Sequence, residues 1–134
     1  MLKKPLNINH RFINTSIFIG YSLLITLLSL KPHVPIENIP YNDKGAHLIA
    51  YAVFTLLAWR INSWSPLFNH MVIGIIMYGG LIEVLQSYTG RMMSLYDLLA
   101  NITGVTLCII VLHYIEKLHK HPLSRLLTPT NHIP

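Results

Sequence analysis

Charge is scarce in this sequence, and acid is scarcer still. Ten Lys or Arg and five Asp or Glu make up 11 % of 134 residues, where ordinary soluble domains carry about 25 %. Cysteine is nearly absent. Cys108 stands alone, which excludes an internal disulfide framework and a cysteine-based zinc site. A Gly-rich phosphate loop and a Gly-x-Ser-x-Gly elbow are both missing, so P-loop and serine-hydrolase chemistry have no basis in the sequence. What fills the chain is apolar: 52 % hydrophobic residues and a mean hydropathy of +0.48, with the charges bunched between apolar runs. One small soluble domain of this length could not absorb that much apolar surface, so lipid is the expected solvent for most of it.

Four apolar runs approach the roughly 17–25 residues that a helix needs to cross a hydrocarbon layer. They cover about residues 12–30, 45–61, 67–86 and 97–115. Only helices and closed barrels satisfy their own backbone in lipid, so the expected fold is all-α, an integral membrane bundle of four transmembrane helices. The second run is the shortest and carries His47, Tyr51 and Arg60. The first is too long for the core of a cleaved signal peptide, lacks a small-x-small site after it, and reads as a retained signal anchor. The division expected is a basic flank at 1–11, a membrane domain at 12–116 and a basic, Pro-containing tail at 117–134.

Lys and Arg set the expected orientation, because cytoplasmic flanks collect them. Lys3, Lys4, Arg11, Arg60, Lys117, Lys120 and Arg125 fall on one side, and Lys31, Lys44 and Arg91 on the other. Seven against three places both termini in the cytoplasm. The net charge of +5 then points to anionic inner-leaflet lipid beside the tails, worth about 1 kcal/mol per basic residue, rather than to nucleic acid.

Glu83 is the anomaly. It lies near the end of the third run, where a carboxylate at the bilayer centre costs roughly 2.5–3.5 kcal/mol even on a lenient scale. Residues three or four apart share a helix face. Asp43, His47 and Tyr51 make one polar stripe, Glu83 and Gln86 a second, and Asp97, Asn101 and Gly104 a third. With Lys44, Arg91 and Ser94, all lie within about two helical turns of the extracytoplasmic surface. Such stripes must face partner helices or water, so they should converge. Gly79, Gly80 and Gly104 would allow close approach. The cytoplasmic ends carry only flanking basic residues.

Simpler roles compete with function. Asp43 suits a helix N-cap, and Ser94 with Asp97 matches a capping box. Lys44, Tyr88 and Arg91 suit interface anchors. His47 suits a hydrogen-bonded packing residue. Glu83 resists such readings, because a carboxylate at a helix C-terminus opposes the dipole and needs a cation, for which Arg91, Lys44 and protonated His47 are the candidates. His47, Glu83 and Asp97 could in principle ligate a metal, but they lack the His-x-x-x-His spacing that makes such a case specific. No metal or cofactor is therefore expected.

The stripes also carry a resemblance. Asp43-Lys44-Gly-Ala-His47-Leu-Ile-Ala-Tyr51, then Glu83-Val-Leu-Gln86 with Arg91 downstream, then Asp97-Leu-Leu-Ala-Asn101-Ile-Thr-Gly104 are similar, in order and spacing, to the motifs of VanZ-like membrane proteins. Leu48 stands where an aromatic often follows the His. The resemblance implies a small multi-helix protein of the bacterial inner membrane, in a family linked to tolerance of teicoplanin-type glycopeptides.

Two mechanisms fit these residues. In the first, Lys44 and Arg91 grip a phosphate or carboxylate of a lipid or lipid-linked envelope precursor, in a pocket ordered by Asp43, His47, Tyr51, Glu83, Gln86, Ser94, Asp97 and Asn101. In the second, an intramembrane enzyme uses Glu83 or Asp97 as base or nucleophile and His47 as its acid–base partner. A network that only locks helix packing is the third reading. Whether a second copy completes the pocket, as a homo-oligomer, is left open.

Overall fold

The computed structural model describes residues 8–31, 43–89 and 93–120. Four helices account for nearly all of them: α1 Ile8–Ser29, α2 Asp43–Asn62, α3 Pro66–Ser87 and α4 Leu95–Lys120. Each covers one of the expected runs. The outer helices overshoot their apolar windows: α1 starts at Ile8, and α4 continues to Lys120, into the expected tail. A helix already under way satisfies its own backbone and does not need apolar side chains to continue. The His119 ring nitrogen Nδ1, 2.9 Å from the Ile115 carbonyl oxygen, adds a side-chain bond in that last turn.

Local chemistry fixes the ends. Ser65 caps α3: its Oγ accepts from the Phe68 amide at 3.3 Å, and Pro66 occupies the first turn, where its missing N–H costs nothing. The tight link before it places Trp64 at φ 50°, a left-handed conformation that costs a non-glycine residue roughly 1–2 kcal/mol. Packing of its ring on Phe68 and His113, with centroids 5.6 Å away in both cases, opposes that cost.

The helices run up and down. Arg11 donates to Asn62 Oδ1 at 3.1 Å, and Asn14 to the Arg60 carbonyl at 3.2 Å, tying the start of α1 to the end of α2. At the opposite end Gln86 Nε2 donates to the Ser29 carbonyl at 3.0 Å, joining the ends of α3 and α1.

The helices are not equivalent. α1, α3 and α4 are long and apolar enough to cross a membrane. α2, expected as a fourth span, is not among them, since Asp43, Lys44 and Arg60 interrupt its hydropathy. It packs instead against all three others, most extensively α4. Tyr51, Phe54, Thr55 and Ala58 on α2 are at most 3 % exposed, whereas α1 buries only Ile25 among its large apolar residues and leaves Ile19, Leu23 and Leu27 outside. Protein covers most of α2, though Ile49 stays exposed, and the apolar outer faces of its neighbours suit lipid. Phe54 centres the core, with Phe18 at 4.7 Å, Tyr78 at 5.7 Å and Tyr51 at 6.2 Å between ring centroids.

One glycine sets the α2–α4 distance. A Cβ on Gly104 would stand 2.1 Å from the Leu48 carbonyl oxygen, so only glycine permits this approach. Gly79 is also confined, against Tyr51 and Asn101, while Gly80 has nothing within 4 Å. Of the three glycines expected to mediate packing, two do.

Candidate functional site

At the end of the bundle away from the α2–α3 link, three helices bring one polar cluster together. His47 comes from the first turns of α2, Glu83 from the last turn and a half of α3, and Asp97 and Asn101 from the start of α4. All four are 8 % exposed or less. His47 Nδ1 lies 3.0 Å from Asn101 Oδ1 and 4.0 Å from Glu83 Oε1, and His47 Nε2 lies 3.9 Å from Asp97 Oδ2. One ligand atom from each of His47, Glu83 and Asp97 falls within 4.8 Å of the other two. The amide oxygen of Asn101 is turned to the ring, so it accepts from Nδ1, while Nε2 faces Asp97.

The helix start at Ser94 explains how Asp97 is released for this role. Ser94 Oγ accepts from the Asp97 amide at 3.3 Å, the first half of a capping box. The reciprocal half is rewired: the Ser94 amide donates to Glu83 Oε2 at 3.3 Å. Glu83 thus stands in for the capping carboxylate, and the Asp97 side chain turns to His47. The expectation that Asp97 only caps its helix does not hold.

The other expected site residues divide. Tyr51 sits one turn below His47 and is 1 % exposed; its hydroxyl has no hydrogen-bond partner among the described residues, and neither does Asn101 Nδ2. Both atoms lie against Gly79. Gln86 is equally buried, but its amide is spent on Ser29 of α1, a residue that spacing within α3 could not have suggested. Lys44 is exposed, with its ammonium 5.5 Å above the Tyr96 ring. Asp43 opens α2, but its side chain lies outside the described residues, as does Arg91.

The opposite end is less bare than the sequence suggested. A cavity of ≈ 730 Å³ opens there, lined by Asn14, Trp59, Arg60, Trp64, Glu116 and His119 among others. The indole Nε1 atoms of Trp59 and Trp64 are buried and without a hydrogen-bond partner among the described residues. Two tryptophans five residues apart around Arg60 were the available signal.

Fold and composition together make this a small helical membrane protein. It is 30 % identical over 118 residues to an uncharacterized protein of the fission yeast Schizosaccharomyces pombe, a match covering 82 % of this chain and 70 % of that protein. The chain belongs to the same family as that yeast protein. No family model and no solved structure matches it. The relative is eukaryotic, so membership of this family does not imply a bacterial source.

Proposed function

We propose that this chain is a multi-pass membrane protein, with both termini cytoplasmic, whose buried polar cluster recognises the anionic headgroup of a lipid or lipid-linked envelope component. The observation that carries the reading is the convergence of His47, Glu83, Asp97 and Asn101 from three helices at one depth. Polar contacts between membrane helices average only about 0.6 kcal/mol, a small return for burying two carboxylates if packing were their whole purpose. Lys44 at the rim, and Arg91 by its place in the sequence, supply positive charge for a phosphate or carboxylate. The VanZ-like order of these residues supports a bacterial inner-membrane setting and a link to glycopeptide tolerance; the eukaryotic relative gives no support to the bacterial part. Mass spectrometry of copurifying lipids tests the reading. One anionic class retained by the native chain and depleted in Lys44→Gln and Arg91→Gln supports it, and an unselective lipid profile in all three sinks it.

A second reading has its own support. His47 Nε2 faces Asp97 at 3.9 Å and Nδ1 meets Asn101 Oδ1, an imidazole beside a carboxylate and oriented by an amide, as proton transfer needs. As an enzyme the chain would use His47 for proton transfer, with Glu83 or Asp97 as base or nucleophile. Turnover of a lipid-linked pyrophosphate, lost in Glu83→Gln and Asp97→Asn while binding persists, would favour it over simple recognition.

A further inference from the structure

We propose that His47, Glu83 and Asp97 hold one divalent ion of the zinc class. The sequence argued against a metal because no single helix carries a ligand pair. The fold supplies the set from three helices, one ligand each, with the three ligand atoms mutually within 4.8 Å. Tetrahedral ligands about 2.0–2.1 Å from zinc stand roughly 3.3 Å apart. The 3.9 Å from His47 Nε2 to Asp97 Oδ2 is within a small rotamer adjustment of that spacing, while Glu83 Oε1, 4.0 Å from Nδ1, has to swing toward Nε2 to complete the set.

Four features support a built site over a chance meeting of side chains. Asn101 accepts from His47 Nδ1 at 3.0 Å, the outer-shell bond that orients a metal-ligating imidazole and leaves Nε2 to coordinate. The ligands are buried, so water does not compete freely for the ion. Two carboxylates and an imidazole from three helices are a donor set of the kind divalent transition metals take. Finally, Tyr51 Oη and Asn101 Nδ2 are buried polar atoms without a hydrogen-bond partner among the described residues, beside the cluster and suited to a coordinated water or ligand oxygen. An imidazole with two carboxylates favours zinc, manganese or iron over magnesium or calcium.

The inference stands on geometry but bears on the headgroup reading. With three protein ligands the ion keeps an open position, and an anionic headgroup oxygen can take it.

The test uses the full chain in detergent, tag removed, stripped with chelator and titrated with Zn²⁺, with metal content read by mass spectrometry after gel filtration. The expected result is about one equivalent per chain, with affinity falling about 10–100-fold in Asn101→Leu, the outer-shell change, and further in His47→Ala and Asp97→Asn. Cys108→Ser and His119→Ala should bind as the native chain does. Wild-type protein without zinc, or His47→Ala binding equally well, overturns the proposal. If the cluster variants do not fold, X-ray absorption of the Co²⁺-loaded native chain decides: one imidazole with oxygen ligands supports the site, and sulfur or several imidazoles overturn it. Metal without a selected lipid defeats the headgroup reading alone, and a selected lipid without metal defeats this inference alone.

Discussion

The two ends of this bundle are built on opposite principles. At one end His47, Glu83, Asp97 and Asn101 are each 8 % exposed or less, and the close backbone approach of Gly104 to Leu48 lies beside them. At the other, indoles, Arg60 and Glu116 line an open cavity of ≈ 730 Å³, and the helices are tied by exposed bonds such as Arg11–Asn62. The closed end carries acid where acid is costly, so its geometry must be held tightly. The open end carries interface residues that water and headgroups solvate. A perturbation of equal chemical size should therefore be felt far more at the closed end.

The sharpest test is Gly104→Leu. Even the first added carbon would stand 2.1 Å from the Leu48 carbonyl oxygen, and backbone cannot swing aside as a side chain does. Overpacking a good core costs about 1–3 kcal/mol, and this change should reach or exceed the upper end. Thermal unfolding in detergent should show a steep loss of stability or no folded protein. A near-native melting temperature would mean that α2 and α4 do not approach as closely as described.

Next in size is Asn101→Leu. It keeps the number of side-chain heavy atoms but removes the oxygen that His47 Nδ1 faces at 3.0 Å, and its methyls add bulk beside Gly79. The expected loss is about 1–2 kcal/mol, combining an interhelical hydrogen bond with a buried ring nitrogen left without its partner. Denaturation of the metal-free protein measures this separately from any loss of zinc affinity. If stability is unchanged, the closed end does not depend on its polar contacts, and the comparison weakens.

Much of this closed end was legible in the sequence, for a physical reason. Apolar runs measure helix length directly, and i, i+4 spacing places Asp97 and Asn101, or His47 and Tyr51, on shared faces before any contact is known. What could not be read were the choices made between helices. The Ser94 amide selects Glu83 eleven residues back, and Gln86 selects a carbonyl of α1; either donor could have found a local acceptor. The central place of α2 was hidden too. Its charged ends made it look like a weak span, when it is the helix that packs on all three others. The cavity around Trp59 and Trp64 was missed because paired aromatics at a helix end are ordinary interface composition.

At the open end, Arg11→Ala should do little. The guanidinium donates to Asn62 Oδ1 from an exposed position, where water replaces the lost partner, and exposed substitutions stay within about 0.5 kcal/mol. The Asn14 bond to the Arg60 carbonyl holds the same two helix ends together. Thermal unfolding of Arg11→Ala beside Asn101→Leu gives the contrast in one experiment; equal losses would refute the asymmetry between the ends.

The smallest effect is expected from Gly80→Ala, and it guards against a trivial explanation of the largest. If Gly104→Leu failed only because glycine is generally needed to keep these helices pliable, Gly80, in the same helix as Glu83, should also resist substitution. The close-contact account says otherwise. Nothing lies within 4 Å of a Cβ built at Gly80, and alanine is the better helix former by about 0.8–1.0 kcal/mol in water. Gly80→Ala should leave the melting temperature unchanged or slightly raised. A marked loss would show that a neighbour covers the Gly80 face in the membrane, as a second copy of the chain would, and cross-linking of the native protein would then identify it.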